Sequence, residues 1–200
     1  MFNFFNDNNK DAVKKDYAVG SFDKVNIDVP SCNVEFKVAE KYAVHYLGAE
    51  KLIPEVKVEN KRLNITYKTH DQHIVVNVFN LKKLAPKLVI EIPKKELESL
   101  DIDLANGNVH ADYLAVKSGS LDLSNGNVTI DELYTQKGMD VDLANGNVAI
   151  KKTNATGYDL STSLGKVVYK GQKQGHDFEL NSDNKNVIEV DTAKGNISIK

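Results

Sequence analysis

Five times in its second half the chain returns to the same glycine-centred corner. Leu104-Ala105-Asn106-Gly107-Asn108-Val109 recurs as Leu123-Ser124-Asn125-Gly126-Asn127-Val128 and as Leu143-Ala144-Asn145-Gly146-Asn147-Val148. Looser copies follow at Thr162-Ser163-Leu164-Gly165-Lys166-Val167 and Thr192-Ala193-Lys194-Gly195-Asn196-Ile197. The glycines are spaced by 19, 20, 19 and 30 residues. A unit of about 20 residues cannot bury its own apolar stripe and must stack on copies of itself. The expected fold is all-β, a short β-helix (β-solenoid) with an N-terminal antiparallel β portion.

The letters of the repeat follow from that stacking. Gly107, Gly126, Gly146 and Gly165 are expected to turn the corner with positive φ at no steric cost, and Gly195 marks the last corner. Asn106, Asn125 and Asn145 tolerate left-handed geometry, and their amides can bond from coil to coil as a ladder. Leu164 in the fourth copy ends or changes that ladder. Leu121, Leu123, Met139, Val141 and Leu143 are expected to point inward. The 30-residue interval holds Phe178-Glu179-Leu180 and Val187-Ile188-Glu189-Val190, enough for an extra strand pair. The chain stops just after the last corner, which predicts an open C-terminal coil able to pair with a second copy.

In the first half, apolar residues alternate with polar ones. Val25, Ile27 and Val29, then Val34, Phe36 and Val38, then Leu63, Ile65 and Tyr67, Val76 and Val78, and Leu88, Ile90 and Ile92 keep period two. That is the mark of half-buried strands. Pro30-Ser31, Asn60-Lys61, His70-Asp71 and Pro93-Lys94 punctuate them, and 80–85 could form a turn. Residues 1–16 read as a flexible tail, with Phe2, Phe4 and Phe5 as a sticky motif. Residues 17–200 read as one elongated β domain: antiparallel strands over 17–93, coils over 100–200.

Composition removes several classes of function. A net charge of −2 and a single arginine, Arg62, argue against nucleic-acid partners. Cys32 is the only cysteine, so no internal disulfide or cysteine metal cage can form. No secretory signal or run of about 20 apolar residues is present, which leads to a cytoplasmic expectation. The alternative is a surface position reached through a partner.

Asp103, Asp122, Asp142 and Asp191 precede four of the corners and should form an exposed acidic column, interrupted by Ser161. Three readings are open: a solvated face, an incidental calcium site, or the carboxylates of a polysaccharide-cleaving β-helix. Calcium wants six to eight oxygens, commonly from a turn-rich loop. A glycosidase wants two carboxyls in a cleft, and this sequence contains no tryptophan for a sugar-stacking wall. His70 and His73 could clip a metal, but no third ligand stands near them in sequence. No serine-hydrolase elbow or phosphate loop occurs, and the Asn-x-Ser/Thr matches at Asn64, Asn127, Asn154 and Asn196 read as strand and turn chemistry. No catalytic residue, cofactor or metal is expected.

With Phe22-Asp23-Lys24-Val25-Asn26-Ile27, Asn33-Val34-Glu35-Phe36, the Asn-Gly-Asn-Val corners and the closing Asp191 to Ile197, the chain resembles the bacterial putative-adhesin family, a domain-of-unknown-function family of β-solenoid domains. The resemblance covers about residues 17–200. It implies a non-catalytic binding or scaffold domain, envelope-associated in some relatives, and carries over no catalytic residues. The alternatives are a self-assembling structural solenoid and, more remotely, a polysaccharide-active enzyme.

Overall fold

The computed structural model describes residues 12–67 and 85–200. Expectations placed on Phe2, Phe4, Phe5, His70, Asp71, His73, Val76, Val78 and the segment 80–84 lie outside the described residues. What is described is strand and turn, apart from one 3-10 turn at Glu50–Leu52. No helix among these residues is long and apolar enough to cross a membrane.

Alternation makes the strands, and the glycine corners join them into two flanks. On the first flank lie β2 (Lys24–Ser31), β6 (Arg62–Thr66), β8 (Leu97–Asn106), the second half of β9 (Val109–Asn125), β11 (Met139–Asn145), β13 (Gly157–Leu164) and β17 (Val187–Lys194). They pair in parallel in the spatial order β6, β2, β8, β9, β11, β17, β13. On the second flank β7 (Lys87–Ile92), β3 (Asn33–Val38), the first half of β9, β10 (Val128–Thr135), β12 (Val148–Ile150), β18 (Ile197–Ile199) and β14 (Val167–Tyr169) pair likewise.

Because register is kept from strand to strand, inward residues form columns. Ile65, Ile27, Ile102, Leu121, Val141, Val190 and Leu160 lie in one such line, each 0–3% exposed. Slipping one strand by a residue would turn its whole apolar set to water, so the columns hold the register. Burying a Leu or Ile side chain contributes roughly 1.5–3 kcal/mol.

Both ends of the stack carry antiparallel strands. At one end β5 (Glu55–Glu59) lies on β6, β4 (Ala43–Gly48) on β7, and β1 (Val13–Ala18) on β4. At the other, β16 (Asp177–Leu180) lies on β13 and β15 (Gln172–Gly175) on β14. Tyr158, Tyr169 and Phe178 close the core there, with ring centroids 5.0 and 4.6 Å apart.

Three sequence expectations change. Residues 13–16 belong to β1 and not to a tail, because their backbone pairs with β4 and Asp16 Oδ1 lies 2.6 Å from His45 Nδ1. Within residues 17–93, β2 and β3 pair in parallel with β6, β8, β7 and β9, since they already form a strand-corner-strand unit. The C-terminal coil is not open. Strands β17 and β18 slot between β11/β12 and β13/β14, with partners on both sides.

Candidate functional site

The corners bring the repeat residues into one column. Ser31 pairs with Asn106, Asn106 with Asn125, Asn125 with Asn145, Asn145 with Lys194, and Lys194 with Leu164. Gly107, Gly126, Gly146, Gly195 and Gly165 stack beside them in that order, with Cys32 in the glycine's place at the first corner. Gly107, Gly126 and Gly146 have φ of +149, +159 and +152, but Gly165 and Gly195 are not among the positive-φ residues. What all five share is close approach. A Cβ at Gly126 would lie 1.7 Å from the Gly107 carbonyl oxygen, and one at Gly195 1.5 Å from that of Gly146. Steric exclusion, more than φ, demands glycine here.

Two asparagine ladders flank the glycines. In the first, Asn125 Nδ2 donates to Asn106 Oδ1 at 3.3 Å and Asn145 Nδ2 to Asn125 Oδ1 at 3.1 Å. Lys194 and Leu164 follow in that column, and Leu164 is 65% exposed. The second ladder was not read from sequence, and it is longer and tighter. Asn108, Asn127, Asn147 and Asn196 each donate Nδ2 to the preceding asparagine, beginning at Asn33, at 2.9, 2.9, 3.0 and 3.2 Å. Each backbone N–H donates to the same oxygen at 2.9–3.0 Å. The signal was the second asparagine of Asn-Gly-Asn, together with Asn33 before Val34.

On the outer face of the first flank, Asp28, Asp103, Asp122, Asp142 and Asp191 stand in register, followed by Ser161, whose hydroxyl donates to Asp191 Oδ1 at 2.9 Å. A second line holds Asp101, Ser120, Asp140, Glu189 and Asp159. Neighbouring strands are ~4.8 Å apart, so these carboxylates face one another at close range. Arg62 reaches Asp101 at 3.5 Å, but among the described residues no lysine pairs with Asp103, Asp122 or Asp142. Burial, then Asp140, Asp122 and Asp191, raises the Asp142 pKa above its ordinary value. Burial and the carboxylates of Asp140, Asp159, Asp142 and Asp191 raise that of Glu189.

The face is open. A shallow depression runs over Asp122, Ser124, Asp142, Ala144, Ser163 and Asp191, with small side chains on its floor and no enclosing wall. No group of three or more His, Cys, Asp or Glu side chains converges as a metal site among the described residues. Cys32 is buried, and burial raises its thiol pKa to about 12. It is packed as an apolar filler.

Repulsion along the acidic column has a measurable consequence. A raised native pKa means the folded chain holds its proton more tightly than the unfolded one. Stability from Asp142 therefore grows as pH falls from neutrality through that pKa, and levels off below the unfolded value near 3.8. The carboxylate is largely exposed, so screening keeps the effect small. Asp142→Asn should raise the melting temperature by ~1–2 °C at low salt and flatten the acid-side rise. Melting curves against pH and salt check this; a lowered melting temperature at neutral pH would contradict it.

Comparison with known proteins bears on the fold. A family model, Toastrack DUF4097, matches residues 22–184. The chain is similar to the crystal structure of a putative cell adhesion protein from Clostridium sporogenes, with TM-score 0.56 and 16% identity over 94% of this chain and 99% of that one. It is also similar to a putative adhesin from Bacteroides fragilis, with TM-score 0.44 and 14% identity over 96% and 98%. No curated protein matches the chain.

Proposed function

This chain belongs to the Toastrack DUF4097 family, and on that premise we propose that it is a non-catalytic binding or scaffold domain built as a short β-solenoid. The observation that carries the reading is the outer face of the first flank. Its carboxylates repeat in two lines, one or two to a strand, on an open surface, where an acid-base pair would need two groups set apart by their surroundings in a cleft. Such a surface presents fixed spacings of about 4.8 Å and loses little entropy on contact, because its side chains are short.

The carboxylate columns repel polyanions, which speaks against nucleic acid and anionic lipid as partners. The cell-adhesion name of the Clostridium sporogenes structure directs the search to glycans and proteins of the cell envelope. Self-assembly through the last strand loses its premise, because β18 already has β12 and β14 as partners.

A glycan array and a panel of purified envelope proteins, probed with the full chain, test the reading. Saturable binding without release of product is expected, and Asp122→Asn should leave a glycan substrate as uncleaved as the parent does. Release of a cleaved glycan that stops with Asp122→Asn would replace the binding role by the polysaccharide-cleaving one.

A further inference from the structure

Asn106-Gly107, Asn125-Gly126 and Asn145-Gly146 are the three Asn-Gly pairs of the sequence. We propose that they are spontaneous deamidation sites which the stacked corners hold shut, so that their modification records the accumulated time the chain has spent unfolded. In an unfolded chain the glycine backbone nitrogen loses its proton and attacks the asparagine Cγ. The Cγ–Nδ2 bond breaks, ammonia leaves, and water opens the succinimide to aspartate or isoaspartate. Asn-Gly favours this chemistry because glycine places no side chain in the path of attack.

The fold blocks both reacting groups. The N–H of Gly107 donates to the Asn125 carbonyl at 2.9 Å, that of Gly126 to Asn145 at 2.9 Å, and that of Gly146 to Lys194 at 2.8 Å. Each nitrogen would have to abandon a bond between coils before it could ionise and attack. The asparagine side chains are tied as well. Asn125 is held from both sides, donating to Asn106 Oδ1 and the Ala105 carbonyl at 3.3 and 3.4 Å and accepting from Asn145 at 3.1 Å. Asn106 and Asn145 end the ladder and have an asparagine neighbour on one side only.

The product does not fit back. A carboxylate at 125 loses the Nδ2 donor and sets oxygen against the Asn106 amide oxygen and the Ala105 carbonyl. It also extends a surface already crowded with carboxylates. An isoaspartate adds a backbone atom, and the corner then no longer matches the coil beside it. Deamidation is therefore slow while the chain is folded and one-way once it has opened.

The full chain is held at mildly alkaline pH, folded in buffer and unfolded in urea, and peptide mass mapping follows each asparagine over time. Loss of amide at Asn125 should be at least ~10-fold slower in the folded sample, since reaction there must await local opening. Within the folded sample Asn106 and Asn145 should react before Asn125. After a long hold in urea, refolding yield should fall in step with the deamidated fraction. Equal rates at Asn125 in the two samples, or full refolding of deamidated chain, would overturn the proposal.

Discussion

Gly146→Ala should unfold the chain or cost about 4 kcal/mol, the range reserved for strain and broken networks. A Cβ there would lie 1.4 Å from the Gly126 carbonyl oxygen and 2.6 Å from its carbon, at a φ of +152. The backbone strain alone is worth about 1–3 kcal/mol. The rest comes from separating two coils. Gly126 N–H to the Asn145 carbonyl and Val128 N–H to the Asn147 carbonyl, both at 2.9 Å, must lengthen together, and each such bond contributes about 1 kcal/mol. Two controls separate the causes. Gly175 has φ +98 with nothing within 4 Å of its Cβ position, so Gly175→Ala feels dihedral strain only, ~1–2 kcal/mol. Gly20 has neither feature, and Gly20→Ala should be within ~0.5 kcal/mol of the parent. Urea midpoints for the three variants read the difference. Were Gly146→Ala no worse than Gly175→Ala, the corners could not be as tightly stacked as described.

The second large effect is expected at Ile197→Lys. Ile197 is fully buried, and β18 sets it between Val148 and Val167. An ammonium there has no carboxylate to meet and cannot reach water, so the variant should fail to fold or lose at least ~4 kcal/mol. An open final strand would instead leave position 197 half in solvent, and lysine would merely block association. Ser198→Lys is the control, because Ser198 points to the outer side of the same strand, between Ala149 and Val168. It should stay folded. Circular dichroism and soluble yield distinguish the outcomes, and a well-folded Ile197→Lys would place the last strand at an edge after all.

Much of this was legible in the letters, and the gaps have identifiable causes. The Asn-Gly recurrences located the corners, because a glycine every 20 residues or so has few other uses. The corner at Ser31-Cys32-Asn33 escaped the pattern, since cysteine stands in the glycine's place, and β2 and β3 were therefore expected in an antiparallel layout. Residues 13–16 of β1 read as tail in the sequence because Lys14, Lys15 and Asp16 face water. Charged side chains are how an edge strand avoids pairing with another molecule, and they conceal it from a search for apolar alternation. The second asparagine ladder shares the 19–20-residue spacing of the first at Asn108, Asn127 and Asn147; only its end rungs, to Asn33 and from Asn196, span 75 and 49 positions and lie off that period.

The repeat, the strand faces and the glycine at the five recurring corners are written locally in the chain. Those are properties of a residue and its near neighbours: alternation buries one face, and a carbonyl pressed against the corner tolerates no Cβ. The order of the coils was decided only in three dimensions. Coils of common register are nearly interchangeable as neighbours, so nothing local tells β11 to pair with β17 instead of β13. The reversal at Lys170-Gly171, with φ of +49 and +76, sends β15 and β16 back along the outside of the fourth coil. The final coil then occupies the lane between the third and fourth. There Ile197 gains apolar neighbours on both sides, and the N–H groups of Gly195, Asn196 and Ile197 donate to the Leu164 carbonyl, Asn147 Oδ1 and the Lys166 carbonyl.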